Sequence, residues 1–117
     1  MNIQKIVTNI KKIDYSAIDI DQFLDNRDIE EFDREWCNIY NQIDRDNIPE
    51  EVMLQSDQYR EEVFLKVDEM TGGSELAEYI SDDIELLLFA DYQNISNEWF
   101  LKFVAKYENG ELPAGVL

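Results

Sequence analysis

Residues 74–94 read SELAEYISDDIELLLFADYQN, and the spacing within them decides the fold class. Leu76, Ile80, Ile84, Leu87 and Leu88 recur at intervals of three and four, which places them on one side of an α-helix turning about 100° per residue. Ser74 stands where a hydroxyl can cap the first turn. Leu86, Phe89 and Tyr92 fall outside that stripe, so the second half of the helix is apolar nearly all round. A helix apolar on every side is one that its neighbours surround. One reading puts this half at the centre of a helical bundle; in the other, its outer apolar residues anchor an interface.

The segments on either side repeat the same period. Gly72-Gly73 stops a preceding helix, with one glycine left-handed. Pro49 suits the first position of that helix, Glu50 and Glu51 favour its positive end, and its stripe is Val52, Tyr59, Val63, Val67 and Met70. Asp28 with Glu31 has the spacing of a capping box. It opens a helix carrying Ile29, Phe32, Trp36, Ile39, Tyr40 and Ile43, which ends near Asp46-Asn47. A second box, Asp19 with Gln22, starts a short helical turn with Ile20, Phe23 and Leu24. Ile3, Ile6, Val7, Ile10 and Ile13 form the stripe of a first helix, broken by Asp14-Tyr15-Ser16. At the other end Ser96 is placed as the cap of a helix with Trp99, Phe100, Phe103, Val104 and Tyr107 on one side. Asn109-Gly110 ends it, and an irregular tail runs from about residue 109. No stretch has a clean period of two. The expected fold is all-α, one domain over residues 1–117, a compact bundle of about five main helices plus one short helical turn.

Composition excludes several functions. The chain has 117 residues, 44% of them hydrophobic and 12% aromatic, enough for a real core. Against 10 Lys and Arg stand 27 Asp and Glu, a formal charge of −17. That field repels nucleic-acid phosphate and anionic membrane alike, so neither is an expected partner. Histidine is absent, which removes every Ser-His and Cys-His pair. The single cysteine, Cys37, has no partner for an internal disulfide, and its place on the flank of the Phe32–Trp36–Ile39 stripe suits a small, half-buried hydrophobe. Asp19, Asp21 and Asp25 have part of a calcium-loop rhythm, but Leu24 stands where that loop requires glycine. No catalytic group, metal site or cofactor site is expected, and the chain is not read as an enzyme. It has no apolar run of about 18 residues, and MNIQKIVTNIKK lacks a signal-peptide core. The expected location is cytoplasmic.

The acids are clustered. From Val67 to Leu101 there is no lysine or arginine, yet Asp68, Glu69, Glu75, Glu78, Asp82, Asp83, Glu85, Asp91 and Glu98 all lie there. A second cluster, Asp14 to Glu35, has only Arg27 and Arg34 among its acids. On this helix Glu75, Glu78, Asp82 and Glu85 lie within about 80° of one another, with Tyr79, Leu86, Phe89 and Tyr92 at nearly the same azimuth. Two readings follow. Leu86 and Phe89 are covered inside the bundle, or they anchor an interface rimmed by acids. The candidate partner-binding residues are Glu75, Glu78, Asp82, Glu85, Phe89 and Tyr92. If the acids serve contact, replacing Glu78, Asp82 and Glu85 together leaves the fold intact or stabilises it, since like charges at this spacing repel by roughly 0.2–0.5 kcal/mol per pair.

A surface this negative speeds the capture of cationic proteins. Stretches such as Asp28-Ile29-Glu30-Glu31-Phe32-Asp33 and Ser81-Asp82-Asp83-Ile84-Glu85, in a short helical chain without catalytic groups, resemble the small acidic immunity proteins of bacterial toxin–immunity systems, including those of contact-dependent growth inhibition and nuclease colicins. The resemblance implies a cytoplasmic protein that binds and neutralises a basic toxin as a 1:1 complex. The toxin would be a nuclease, with an RNase favoured. Two other readings stand beside it: an acidic mimic of duplex DNA, and a homodimeric interaction domain formed through Phe89, Tyr92 and Trp99.

Overall fold

The apolar spacing builds a helix in every segment where it predicts one, but the helix expected to end near Asp46-Asn47 stops at Gln42, and Asp44 caps a separate turn after it. In the computed structural model, which describes all of Met1–Leu117, the helices are α1 (Ile3–Lys12), α2 (Ile20–Arg27), α3 (Glu30–Gln42), α4 (Glu50–Thr71), α5 (Ser74–Tyr92) and α6 (Glu98–Glu108). Single turns of 3-10 helix occupy Tyr15–Ala17 and Arg45–Asn47, and there is no strand. The short turn expected after Asp19 is a two-turn helix, so the main helices number six. Asp19 caps it as expected, its carboxylate accepting the Gln22 N–H at 3.1 Å.

Three of the expected caps are displaced. Asp28 closes α2, its N–H bonded to the carbonyls of Leu24 and Asp25, and its carboxylate accepts the Tyr79 hydroxyl at 3.0 Å instead of opening α3. The N-terminus of α3 is supported by Glu30, Glu31 and Asp33 against the helix dipole. Ser74 lies inside α5, whose cap is Gly73. Asn97 replaces Ser96 as the cap of α6, accepting the Phe100 N–H at 2.7 Å. Pro49 likewise sits one residue outside α4, at its cap.

The chain reverses at Gly72, whose φ of +70° is the left-handed conformation that a side chain would strain. Its N–H bonds to the Asp68 carbonyl at 2.9 Å, and α5 returns antiparallel along α4. Val63 and Val67 of α4 are fully buried. Met70, placed by the sequence on the apolar stripe of this helix, is instead 45% exposed, in the last turn of α4 before Gly72. Against this hairpin pack α1, through Ile6 and Ile10, and α3, through Phe32 and Ile39. The α6 aromatics Phe100, Phe103 and Tyr107 close the other side. Eleven of the nineteen α5 residues are buried, so α5 is the central helix. The tail is irregular but docked: Pro113 is buried, and the Gly115 N–H reaches the Asn26 carbonyl at 3.1 Å.

Side chains satisfy the buried helix ends. The Tyr15 hydroxyl donates to the Ile10 carbonyl at 2.8 Å, and Asn9 Nδ2 donates to the carbonyls of Tyr107 and Glu108. Burial pushes the phenols of Tyr15 and Tyr107 well above the ordinary tyrosine value. A group whose folded-state pKa is raised contributes stability that is complete below its unfolded value, here about 10, and is lost as pH rises beyond it. Unfolding free energy is expected to fall above about pH 10, by up to roughly 1.4 kcal/mol per pH unit for each of the two tyrosines. Phenolate absorbance during an alkaline titration checks this: Tyr15 and Tyr107 should ionise only with loss of helical circular dichroism.

Candidate functional site

Asp83, counted from the sequence among the surface acids, has no solvent exposure. Its carboxylate accepts four hydrogen bonds: from Arg27 Nη1 at 2.8 Å and Nη2 at 2.7 Å, from Trp36 Nε1 at 2.9 Å and from the Tyr107 hydroxyl. The two-pronged Arg27 contact matches the flat carboxylate edge. Phe32 and Tyr79 flank the guanidinium, with ring centres 4.5 Å and 5.4 Å away. Burial alone would lower the Arg27 pKa, but Asp83 more than offsets it and holds the charge in place. One cluster therefore ties α2, α3, α5 and α6 together. A signal for it was present in the helical wheel, where Asp83 falls only about 20° from Leu76 and about 40° from Leu87.

Arginines from other elements meet the remaining α5 acids. Arg60 of α4 donates to Asp82 at 2.9 Å, to Ser81 at 3.1 Å and also to Glu85. Arg45, on the 3-10 turn after α3, pairs with Glu85 from the other side. The lack of basic residues between Val67 and Leu101 thus does not leave this face unpaired, and the expected indifference to triple replacement of Glu78, Asp82 and Glu85 is revised. Glu85→Gln is expected to cost about 1 kcal/mol, the upper range for a partly exposed pair. Glu78→Gln, at an exposed residue outside these pairs, is expected to be neutral or slightly stabilising. Urea denaturation of the two single variants checks both.

Between α3 and α5 runs a groove in two continuous parts. One, of about 200 Å³, is lined by Asp28, Asp33, Cys37, Tyr79 and Asp82 over buried Arg27 and Phe32. The other, of about 310 Å³, is lined by Tyr40, Arg45, Glu85 and Leu86. Trp36 and Asp82 belong to both. Trp36 and Tyr40 stack nearly parallel, 5.5 Å apart at 16°, and Tyr40 is 40% exposed. Desolvation raises the Asp82 pKa, opposed by Arg60 and reinforced by Asp83, Glu85 and Glu78. Desolvation also raises the Cys37 pKa, with Asp33 adding to it, so the thiol at the groove edge is held in its unreactive, protonated form.

The six residues read from the sequence as partner-binding do not form one patch. Asp82 and Glu85 line the groove. Glu75 and Glu78 are exposed nearer the start of α5. Tyr92 is 48% exposed at the far end of the helix, about 25 Å along the axis from Glu75. Phe89 is only 3% exposed, covered by the Arg45 guanidinium 5.5 Å from its ring centre. It belongs to the core, as does Leu86. The aromatic surface beside the acids is supplied by Tyr79, which the sequence placed next to them, and by Trp36 and Tyr40, which it assigned to a helix stripe. Trp99 packs inward against Phe32 and Phe103.

No helix is long and apolar enough to cross a membrane. No curated protein matches the sequence. A family model described as immunity protein PIM1 matches residues 2–114. Since that match runs through every helix of the bundle, the chain belongs to the immunity protein PIM1 family.

Proposed function

We propose that this protein neutralises a basic toxin, a nuclease, by covering it in a 1:1 complex with the acidic, aromatic-floored surface between α3 and α5. Membership of an immunity-protein family implies a toxin partner and the role of an inhibitor rather than an enzyme. The observation that carries the finer reading is the groove itself. Asp28, Asp33, Asp82 and Glu85 rim a floor of Trp36, Tyr40 and Tyr79, which is the composition of an interface anchor with a polar rim. A charge of −17 over 6612 Å² of surface steers a cationic protein toward it. Nucleases fit that description because they hold phosphates with lysine and arginine. An RNase is favoured within that class, and the toxin-producing cell's own cytoplasm is where such protection is needed.

The reading as a DNA mimic is weaker. Arg45 and Arg60 interrupt the α5 carboxylates, whereas a phosphate-like row would run on unbroken. The homodimer through Phe89, Tyr92 and Trp99 is also weakened, since Phe89 is buried and the half-buried Trp99 ring packs against Phe32 and Phe103, which leaves Tyr92 alone well exposed.

Affinity capture from the native host, with tagged protein washed at about 50 mM and then about 500 mM salt, tests the proposal. One basic polypeptide retained in equimolar amount through the second wash, and carrying nuclease activity that added immunity protein abolishes, is the expected result. Recovery of many DNA-binding proteins that all elute at high salt would overturn it in favour of the mimic.

A further inference from the structure

The carboxylate–aromatic seam between α3 and α5 already holds one cation, and it comes from this chain. The Arg45 guanidinium lies 4.9 Å from the Tyr40 ring centre and 5.5 Å from that of Phe89, and it pairs with Glu85. We propose that this is a seat for an arginine side chain of the protein partner, and that Arg45 occupies it until the partner's arginine takes its place. The identity of the partner rests on the toxin-neutralising reading above; the chemistry of the seat does not.

The seat's composition selects guanidinium. Flat aromatic faces beside a carboxylate accept a planar, forked cation by stacking and paired hydrogen bonds, and an ammonium group gains only the point charge. Arg45 is placed to leave. Its side chain is 41% exposed, and the 3-10 turn that bears it has no buried residue. The backbone beneath is pinned, because the Asp44 N–H donates to Gln93 Oε1 at 2.9 Å and Gln93 Nε2 donates to the Asp44 carbonyl at 2.8 Å. Release is therefore a side-chain rotation with no rearrangement of the fold. Glu85 stays aimed after release, since Arg60 holds its other oxygen. Replacement of one guanidinium by another also leaves no partly buried carboxylate unpaired, which is the cost that weakens most exchanges of charge at an interface.

The test uses the full chain with hexa-arginine and hexa-lysine peptides as probes, titrated at about 150 mM salt so that non-specific attraction is screened. The Trp36 indole N–H resonance, assigned by its loss in Trp36→Phe, and the Tyr40 ring signals report the seat. Hexa-arginine is expected to shift both and to bind roughly fivefold more tightly than hexa-lysine. Arg45→Ala is expected to tighten hexa-arginine about three- to tenfold while hexa-lysine changes less than about twofold. Arg34→Ala, an equal change of charge at an exposed residue away from the seam, sets the baseline for both peptides. Tyr40→Ala is expected to erase the preference for arginine. Equal binding of the two peptides, or an Arg45→Ala effect no larger than that of Arg34→Ala, would overturn the proposal. Protection of cells against the cognate toxin is scored separately with the same variants. An arginine-selective seat in a protein whose protection survives charge reversal at the seam would leave the seat standing and remove the toxin-contact reading.

Discussion

Asp83→Ala is expected to lower the unfolding free energy by about 3–5 kcal/mol, the usual cost of removing one partner from a buried ion pair. For a chain of this size that is a fall in Tm on the order of 10–20 °C. The direction is informative because the protein carries −17: on general electrostatic grounds the loss of any acid should relieve repulsion. Asp83 runs against that trend because its removal leaves Arg27 charged, 5% exposed and without an acceptor, and it orphans the Trp36 indole N–H and the Tyr107 hydroxyl as well. Arg27 already has one donor, Nε, with no partner, so the cluster has no spare acceptor to offer. Combining Arg27→Met with Asp83→Asn, which removes both charges, keeps Oδ1 as the acceptor for Trp36 and places an amide donor where the Tyr107 hydroxyl can accept, is expected to cost less than Asp83→Ala alone. Thermal and urea denaturation of the three variants decide it. A loss for Asp83→Ala below about 1 kcal/mol would mean that the cluster is not what fixes α2 and α6 against α5.

The second large effect concerns the groove. Asp33→Lys with Asp82→Lys is expected to weaken binding of the captured toxin by about 10²–10³-fold, through slower association and faster dissociation together. Both residues line the groove and both are exposed at the surface; Asp82→Lys also gives up the Arg60 pair, so stability is expected to fall by about 1 kcal/mol while the helical circular dichroism is retained. The control is Asp57→Lys with Glu61→Lys on the outward side of α4, where both acids are exposed. It alters the net charge by the same amount. If affinity depends on the overall field alone, the two double variants behave alike. If the groove makes the contact, the α4 pair loses only the long-range part, about tenfold or less and abolished by salt. Surface plasmon resonance at two ionic strengths separates these outcomes.

Much of the fold was legible because helices are local. Intervals of three and four residues located all the helices, and the Asp19 cap and the Gly72-Gly73 stop were placed by signals within a few residues of themselves, the structure deciding that Gly72 is the left-handed one. The misplaced caps also have a local cause. Where two polar residues compete, as Ser96 and Asn97 do, or where one residue is claimed by two helices, as Asp28 is, spacing gives no ranking. Geometry does, since Asn97 reaches the Phe100 N–H and Asp28 is held by Tyr79.

The candidate site was legible only in outline. By itself the sequence determined that the protein is helical, that the second half of α5 is apolar nearly all round, that the chain is strongly acidic and that histidine chemistry is absent. Each of these follows from composition or from contacts within one or two helical turns. The tertiary structure alone decided which acid is buried, which are paired and which aromatic rings reach the surface. Asp83 meets Arg27 across 56 positions, and Glu85 meets Arg45 across 40. A helical wheel gives a side chain its azimuth but not what stands opposite it, and the energy of a charge is set by what stands opposite: solvent, a guanidinium or nothing.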